Sequence, residues 1–405
     1  MYPTVDPIAP TGISRRNFFR FAAGASALAS LPILTEAHLA LAERPKFADP
    51  NKGIHIDANE NPLGPSDAAR QAIINITPRG GRYLFAGEAE LIEMFAKQEG
   101  LSPESVMAFA GSSEPLHYTV LAFTGKDKPL VVADPGYEAP MWAAQVSGAP
   151  IVKVPLADPK GEARHDIKAM LGAASNAGVI YICNPNNPTG TCTPRSDIEY
   201  AVANAPKDTV LLIDEAYVHL CDAQRSLDFV KEGKNVIVLR TFSKLYGMAG
   251  IRMGFAVGRP DLLKKMTTFG GMNALPVTAV AAAKASLADP DLVPTRKKII
   301  GDTRVQTLAW LKSEGYACTP SESNCFMLDV KRPGKQVQAA LAAKDMYIGR
   351  IWPAWPNSVR ITVGTPDEMM AFRKAFTEVM SSGTVGLVAP KLPRRLQETP
   401  FTHLS

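Results

Sequence analysis

Several kinds of metal and disulfide site are missing from this sequence. Its five cysteines include no C-x-x-C pair, which excludes the common zinc-binding patterns, and their odd number argues against a complete disulfide framework; they are Cys183, Cys192, Cys221, Cys318 and Cys325. The six histidines are scattered, and no two stand at metal-ligand spacing. We therefore expect no metal site.

A strong net charge and long apolar runs are also missing. The net charge of +5 is small for 405 residues and gives no reason to expect a nucleic-acid partner. No stretch is both long enough and apolar enough for a membrane-spanning helix, so we expect no stable membrane anchoring. A hydrophobic content of 46% and a charged content of 20% are typical of a globular protein, and the length predicts two domains.

The N-terminus has the pattern of an export signal. Arg15 and Arg16 precede a small and apolar run over residues 21–34, and Ala40-Leu41-Ala42 supplies a small-x-small cleavage pattern. An unstructured basic tail is the alternative. We expect residues 1–42 to lie outside the fold, as a signal for the twin-arginine (Tat) export machinery, which would deliver the chain to the periplasm or outside the cell. Residues 43–83 read as an N-terminal arm.

Short apolar runs alternate with helical patterns between residues 84 and 285. The runs are continuous, which favours strands buried on both faces of a mostly parallel sheet; they cover residues 130–133, 151–154, 179–182, 210–213 and 236–239. This predicts an α/β fold with a three-layer large domain. Residues 286–383 read as a smaller α+β domain, and residues 384–405 as a loose tail.

Polar side chains follow the ends of these runs. Tyr137 follows one strand, Asn187 lies in the turn after a second, and Asp214 and Tyr217 end a third. The stretch 240–252, with RTFSK at its start, follows a fourth. Because ligands in parallel sheets bind beyond the carboxyl ends of the strands, these side chains predict a shared site.

The stretch 240–252 carries groups that suit a phosphate. Thr241 and Ser243 offer hydroxyls and Arg252 offers a planar cation. Lys244 lies among them, and cationic surroundings shift an amine towards its neutral, nucleophilic form.

A second anion-binding element precedes a helix. Gly111 opens a turn onto Ser112 and Ser113, which places free backbone N–H groups where an anion can bind. Each feature has an ordinary explanation as well. Many helices start this way without a ligand, and a lone lysine or aspartate at a strand end is typically a solvated side chain or a cap.

Taken together and in this order, Asn187, Asp214, Lys244 and Arg252 resemble the signature of the fold-type I pyridoxal-phosphate enzymes, in particular the class I/II aminotransferases. Within that group its short sequence motifs are most similar to those of the histidinol-phosphate aminotransferase family. The matching stretches are NENPLG in the arm, NNPTG, DEAY, TFSK and RITVG. The resemblance covers roughly residues 45–383 and implies the fold-type I transferase fold.

The resemblance implies pyridoxal 5′-phosphate as the cofactor and assigns roles around it. Lys244 would hold the cofactor as a Schiff base and then act as the base that moves the 1,3-proton. Asp214 would pair with the pyridine nitrogen and keep it protonated. The other cofactor-binding residues would be Asn187 and Tyr217 at the ring 3-oxygen, Tyr137 on the ring face, and Ser112, Ser113, Thr241, Ser243 and Arg252 at the phosphate.

The resemblance also implies substrate and subunit contacts. Arg360 would clamp the substrate α-carboxylate, with Asn324 and Asn61 near the same substrate. Tyr83 would reach the cofactor phosphate of a neighbouring subunit, so the active unit would be a homodimer.

The implied reaction is the transfer of an amino group from an L-amino acid to a 2-oxo acid. Family members that make histidine work in the cytoplasm, so the export signal argues against a histidinol-phosphate role. An aromatic loop precedes Arg360, and we hypothesise that its Trp352 and Trp355 line the substrate pocket and favour an apolar or aromatic donor. Packing within the small domain is the alternative.

Two other functions are compatible with the same cofactor site. A lyase, decarboxylase or cyclase would cleave a different substrate bond, a choice that depends on an angle invisible in the sequence. A non-catalytic sensor would need an attached helix-turn-helix domain, for which residues 1–42 are insufficient.

Overall fold

The computed structural model describes residues 33–43, 52–270 and 274–382. The twin-arginine stretch and the predicted tail over residues 384–405 lie outside the described residues. No helix in the described ranges is long and apolar enough to cross a bilayer.

The strands alternate with helices along most of the chain. In chain order the strands are β1 (Ile54–Ile56), β2 (Val106–Phe109), β3 (Leu130–Asp134), β4 (Ile151–Pro155), β5 (Val179–Cys183), β6 (Val210–Asp214), β7 (Val236–Thr241), β8 (Gly254–Gly258), β9 (Cys325–Asp329), β10 (Met346–Ile348) and β11 (Ser358–Thr362). The α-helices are α1 (Glu36–Glu43), α2 (Asp67–Ile76), α3 (Phe85–Glu99), α4 (Ser113–Phe123), α5 (Ala139–Ser147), α6 (Ile167–Gly172), α7 (Arg195–Asn204), α8 (Leu227–Lys231), α9 (Pro260–Met266), α10 (Val277–Ala288), α11 (Leu292–Ser313), α12 (Gly334–Ala342) and α13 (Pro366–Ser381). Four 3-10 turns lie at Thr77–Arg79, Pro103–Ser105, Val218–Leu220 and Thr267–Phe269.

A seven-stranded sheet forms the centre of the large domain, in the order β2-β8-β7-β6-β5-β3-β4. The strands from β7 to β4 pair in parallel, which confirms the mostly parallel α/β sheet expected from the apolar runs. Every residue of β5, β6 and β7 is buried, so both faces of the sheet centre are covered.

Strand β8 was not predicted from the sequence. It is antiparallel to both β2 and β7, and it is short and bounded by Gly254 and Gly258, which weakens any strand signal. Gly254 has a structural reason. A Cβ at that position would come within 2.8 Å of the Ser112 backbone nitrogen, so the glycine lets the turn before α4 pack closely.

Two further two-stranded sheets lie outside the central one, and one of them joins the arm to the small domain. Strands β9 and β11 pair antiparallel, and β1 of the arm pairs in parallel with β10. The arm therefore contacts both domains, since its helix α2 packs against α10. Ser66 caps the start of α2, and its hydroxyl accepts from Ala69 N at 3.2 Å.

Residues 33–43 depart from the expectation that the first 42 residues lie outside the fold. Helix α1 packs against the body of the protein, with Ala40 only 3% exposed and Leu39 against the main hydrophobic core. Two features of α1 explain this packing. Leu39 and Ala40 are apolar side chains on one turn, and the Glu36 carboxylate binds the buried guanidinium groups of Arg350 and Arg360. The sequence pattern of a cleavable signal does not reveal either contact.

Candidate active site

The carboxyl ends of three neighbouring strands bring the predicted residues together. Cys183 at the end of β5 lies opposite Asp214 at the end of β6, and Asp214 lies opposite Leu239 in β7. The segments that follow these strands therefore start from one edge of the sheet. A cavity of about 400 Å³ opens there, and every predicted cofactor-binding residue except Tyr83 lines it, including Ser113 at the start of α4.

One end of the cavity has the features of an anion-binding site. The Ser112 side chain makes no capping bond to α4, so its hydroxyl and the first backbone N–H groups of the helix remain available. Arg252 Nη1 and Thr241 Oγ1 donate to the Ser243 hydroxyl at 3.2 and 3.0 Å. Gly111, with φ of +88°, is required here because a Cβ would collide with the Arg252 guanidinium.

Lys244 is a buried amine within the same cavity. The residue is 8% exposed, and its Nζ lies 5.5 Å from the centre of the Tyr217 ring. Burial lowers the pKa of Lys244, while the carboxylate of Glu36 opposes this shift. A lowered pKa enlarges the neutral fraction of the amine, which is the nucleophilic form.

Asp214 is a buried carboxylate with two hydrogen-bond donors. Its Oδ2 accepts from the Tyr181 hydroxyl at 2.8 Å, and its Oδ1 accepts from Ala216 N at 3.1 Å. Burial raises the pKa of Asp214 to about 6 despite these bonds. A cation placed beside it would favour the ionised form. Tyr181 was missed by the sequence reading, and its only signal is a hydroxyl within an otherwise apolar strand.

The remaining predicted cofactor residues converge on the middle of the cavity. Asn187 Oδ1 accepts from Arg360 Nη1 at 2.9 Å. The Tyr217 hydroxyl accepts from Asn59 Nδ2 at 3.0 Å. Tyr137 is buried, and burial raises its pKa, so its phenol stays neutral.

Asn59 of the arm connects three parts of the structure. Besides its bond to Tyr217, its backbone N and side-chain Oδ1 both bond the Thr362 hydroxyl at 3.0 Å. Its Nδ2 also donates to Cys325 Sγ at 3.3 Å. The residue adopts φ of +52°, and asparagine tolerates this left-handed conformation better than most residues. The sequence reading treated this residue only as part of a turn-rich arm.

Two buried guanidinium groups share one carboxylate beside the cavity. Glu36 Oε1 accepts from Arg350 Nη1 at 2.7 Å and from Arg360 Nη2 at 2.6 Å. Arg350 also donates to both oxygens of Glu138, at 3.3 and 3.0 Å. Although burial alone would raise the pKa of Glu36, Arg350 and Arg360 lower it to about 2. No motif or local pattern in the sequence marks Glu36, Arg350 or Glu138 as site residues.

Four predicted residues do not line the cavity: Asn61, Asn324, Tyr83 and Arg360, whose guanidinium is fully buried beneath Glu36. Asn61 Nδ2 donates to the Leu245 carbonyl at 2.8 Å, and Asn324 Nδ2 donates to the Asn59 carbonyl at 3.1 Å. Both amides therefore hold backbone next to the site, instead of facing the cavity as substrate contacts were expected to. Tyr83 is 73% exposed and stacks on Phe85.

The two tryptophans of the aromatic loop have different surroundings. The Trp352 ring lies 5.1 and 5.6 Å from the guanidinium carbons of Arg350 and Arg360, and its Nε1 donates to the Gly136 carbonyl at 2.8 Å. Trp355 packs instead on a small cluster formed by Ala133, Leu156 and Ala163. Neither tryptophan lines the cavity; Trp352 borders it through Arg350 and Arg360, whereas Trp355 packs elsewhere.

The residues present fit pyridoxal 5′-phosphate. The anion-binding end suits its phosphate, the buried amine of Lys244 suits its aldehyde, and the buried Asp214 suits a protonated ring nitrogen. Among the described residues, no group of three or more His, Cys, Asp or Glu side chains is placed to hold a metal ion.

Comparison with known families decides the class. The model of the aminotransferase class I and II family matches residues 51–376. This chain belongs to that family. It is a pyridoxal-phosphate-dependent aminotransferase, as its signature residues indicate.

Relatives of two kinds are similar to this aminotransferase. The histidinol-phosphate aminotransferase of Moorella thermoacetica is 31% identical over 335 residues, which cover 81% of this chain and 86% of that protein. The aromatic amino acid aminotransferase of Rhodococcus jostii is 34% identical over 322 residues, which cover 79% of this chain and 88% of that protein.

A solved structure supports the same conclusion. The histidinol-phosphate aminotransferase of Sinorhizobium meliloti, in complex with pyridoxal 5′-phosphate, superposes with a TM-score of 0.75 at 26% identity. The match covers 87% of this chain and 95% of that one. The fold is therefore the fold-type I transferase fold expected from the sequence.

The raised pKa of Asp214 predicts a pH-dependent stability difference in cofactor-free protein. Below about pH 4 the carboxyl is neutral in both folded and unfolded chains, so Asp214→Asn changes stability little through charge. Between pH 4 and a folded pKa of about 6, ionisation increasingly favours the unfolded wild type. Above pH 6 the variant should therefore gain about 2–3 kcal/mol in unfolding free energy relative to its difference at pH 4.

Urea denaturation at pH 4, 5, 6 and 7 measures this difference. Asp208→Asn, on an exposed carboxylate, is the matched control and should show no such trend. A pH-independent difference between wild type and Asp214→Asn would contradict the raised pKa.

Proposed function

We propose that this aminotransferase moves an amino group from an apolar or aromatic L-amino acid to a 2-oxo acid, and that it acts as an exported homodimer. The observation that carries the assignment of residues is the meeting of Lys244, Asp214 and the Arg252 anion site in one cavity.

The proposed cofactor contacts divide the cavity into two parts. Ser112, Thr241, Ser243 and Arg252 would hold the phosphate, since hydroxyls and a guanidinium bind its oxygens well. Asp214 would pair with the ring nitrogen. With its nitrogen protonated, the cofactor supplies an electron sink for the bond cleaved at the substrate Cα.

Lys244 would perform the proton transfer. Its buried Nζ, whose pKa burial lowers, is suited to hold the cofactor aldehyde in the resting enzyme. Once the substrate amine replaces it, the free Nζ would take the proton from the substrate Cα. The Tyr217 hydroxyl, fixed by Asn59 at 3.0 Å, would hold the 3-oxygen of the ring together with Asn187.

Arg360 would bind the substrate carboxylate. Its guanidinium is fully buried and is oriented by Asn187 at 2.9 Å, so its position is fixed before the substrate arrives. A planar guanidinium matches a carboxylate through two parallel hydrogen bonds.

Two observations support an apolar or aromatic donor. The buried Trp352 ring packs against the guanidinium groups of Arg350 and Arg360, so an aromatic side chain borders the proposed carboxylate contact. Relatives that are 33–34% identical are named aromatic amino acid aminotransferases. Histidinol phosphate belongs in the donor screen because other relatives are named for it.

A half-reaction screen tests the proposed chemistry. Holoenzyme mixed with L-phenylalanine or L-tyrosine should lose the absorbance of the bound aldehyde cofactor and yield the matching 2-oxo acid, detected by mass spectrometry. Release of ammonia or carbon dioxide in place of the 2-oxo acid would contradict transamination. A response to histidinol phosphate alone would contradict the donor class.

Borohydride reduction supplies the control for Lys244. It should attach a pyridoxyl group to the peptide that contains Lys244, and Lys244→Ala should remove both the adduct and the half-reaction. Lys264→Ala, in the last turn of α9, is a matched lysine control and should leave both intact.

The homodimer is supported by an exposed apolar surface near the arm. Tyr83, Phe85 and Ile74 are 73%, 67% and 63% exposed. The Tyr83 and Phe85 rings stack with centres 5.7 Å apart, and adjacent exposed aromatic side chains are typical of a protein contact. We propose that this surface meets a second copy and that Tyr83 reaches the phosphate in that copy.

Sedimentation of holoenzyme should therefore give twice the chain mass. Tyr83→Phe should weaken cofactor binding by about tenfold or more, since a hydrogen bond to a charged group contributes about 1.5–3 kcal/mol. Tyr200→Phe, on a side chain 43% exposed, is the control. A monomer, or unchanged affinity in Tyr83→Phe, would contradict the subunit contact.

Export is proposed from residues 1–42. Replacing both Arg15 and Arg16 by lysine should retain the chain in the cytoplasm, because the twin-arginine route depends on that pair. Cell fractionation measures the distribution, and N-terminal sequencing of the exported form should begin after Ala42. Arg20→Lys is the control, and an unchanged distribution in the double variant would rule out this route.

A further inference from the structure

Residues 33–43, which we call the leader segment, enter the active-site cavity. Thr35, Glu36, Ala37 and His38 are among the residues that line it, beside Lys244. The Glu36 side chain is 13% exposed. The segment thus occupies space next to the proposed catalytic amine.

Glu36 is bound there as a carboxylate ligand. Its Oε1 accepts from Arg350 at 2.7 Å and from Arg360 at 2.6 Å, and its Oε2 accepts from Arg350 at 3.2 Å. The Asn187 amide donates to Oε2 at 3.4 Å. A guanidinium pair and an amide around one carboxylate are the contacts that a free amino acid would require.

Apolar contacts hold the rest of the leader segment in place. Ala40 is 3% exposed, and Leu39 packs against the main core. Polar bonds between Thr35 and His38 fix the start of α1, at 3.1 Å between the hydroxyl and Nδ1. Glu36 is therefore presented to the arginines by an ordered helix.

The two guanidinium groups differ in what remains when Glu36 leaves. Arg350 keeps an ion pair with Glu138 at 3.0 Å. Arg360 pairs with no other carboxylate among the described residues and keeps only neutral partners, Asn187 and the Asp57 carbonyl. A buried, unpaired guanidinium is strongly unfavourable, so an incoming carboxylate would replace Glu36 like for like.

We propose that Glu36 is an internal ligand of the substrate-carboxylate site, and that the leader segment competes with the amino acid for Arg360. This inference rests on the proposed role of Arg360 in substrate binding. Its consequence, in the chain before cleavage after Ala42, is a lower apparent affinity for every carboxylate substrate, because only the fraction of molecules with the segment displaced can bind one.

Mild acid does not release the segment. The pKa of Glu36 is lowered to about 2 by Arg350 and Arg360 against the effect of burial. The carboxylate thus stays ionised and paired at all pH values above that range. Competition is expected to depend on substrate concentration or on removal of the segment.

Full-length holoenzyme carrying Glu36→Gln tests the proposal. The amide keeps the size of the side chain but loses the charge that pairs with Arg360. Isothermal titration with 3-phenylpropionate, a carboxylate without an amine, should show binding at least about fivefold tighter than in wild type. The KM for L-phenylalanine should fall by a similar factor while kcat stays within twofold, since the segment leaves before the chemical step.

Two further variants keep the result interpretable. Glu43→Gln, an exposed carboxylate on the same helix, should leave the affinity unchanged. Ala40→Asp retains the Glu36 residue but disrupts the packing that holds α1, so Glu36 should leave Arg360 more easily. Binding of 3-phenylpropionate should therefore also become tighter. Should Glu36→Gln misfold, Ala40→Asp alone decides the question.

The possible results separate this inference from the proposed function. Unchanged or weaker binding of 3-phenylpropionate in both variants would overturn the competition, even if the enzyme transaminates L-phenylalanine. Tighter binding would support it, even if L-phenylalanine proves not to be a donor. The second result would contradict the proposed donor class but not the competition between Glu36 and substrate.

Discussion

The parallel register of β5, β6 and β7 is the constraint on which the site depends. Cys183, Asp214 and Leu239 stand side by side across three strands, so the segments that follow them emerge at one edge. Because every residue of these strands is packed on both faces, a shift in register would disrupt the packing along the whole of each strand. The positions of Asn187 and Lys244 follow from this register.

The buried charges beside the cavity favour partners of opposite sign. Burial raises the pKa of Asp214 at the end of β6 to about 6, so this carboxylate favours a neighbouring cation. The buried guanidinium groups of Arg350 and Arg360 favour an anion, and Glu36 supplies one. A protonated cofactor ring would pair with Asp214, and a substrate carboxylate would take the place of Glu36. The charges are buried, so each of these pairings is weakly screened by solvent.

Much of this site could be predicted because its chemistry is local in the sequence. Four consecutive positions contain Thr241, Ser243 and Lys244. Asp214 directly follows an apolar run that the sequence clearly predicts to be a strand. The parallel sheet followed from continuous apolar runs. Gly111 and the helix start after it were visible for the same reason.

The residues that sequence reading missed depend on long-range contacts. Glu36 and Arg360 are 324 positions apart, and no local periodicity links them. Asn59 looked like one of several turn residues, although it bonds Tyr217 158 positions away. Tyr181 is hidden within a strand, and the tertiary fold alone separates the environment of Trp352 from that of Trp355.

The packing of Ala40 has a consequence for the order of events during maturation. A peptidase that reads small side chains at positions 40 and 42 must bind them in an extended chain, whereas Ala40 is 3% exposed within a helix. If cleavage occurs at Ala40-Leu41-Ala42 as proposed, α1 must first detach and unwind. Any ligand that binds Arg360 in place of Glu36 would release α1 and make the cleavage site more accessible to the peptidase. Processing would therefore be faster in the presence of a carboxylate substrate.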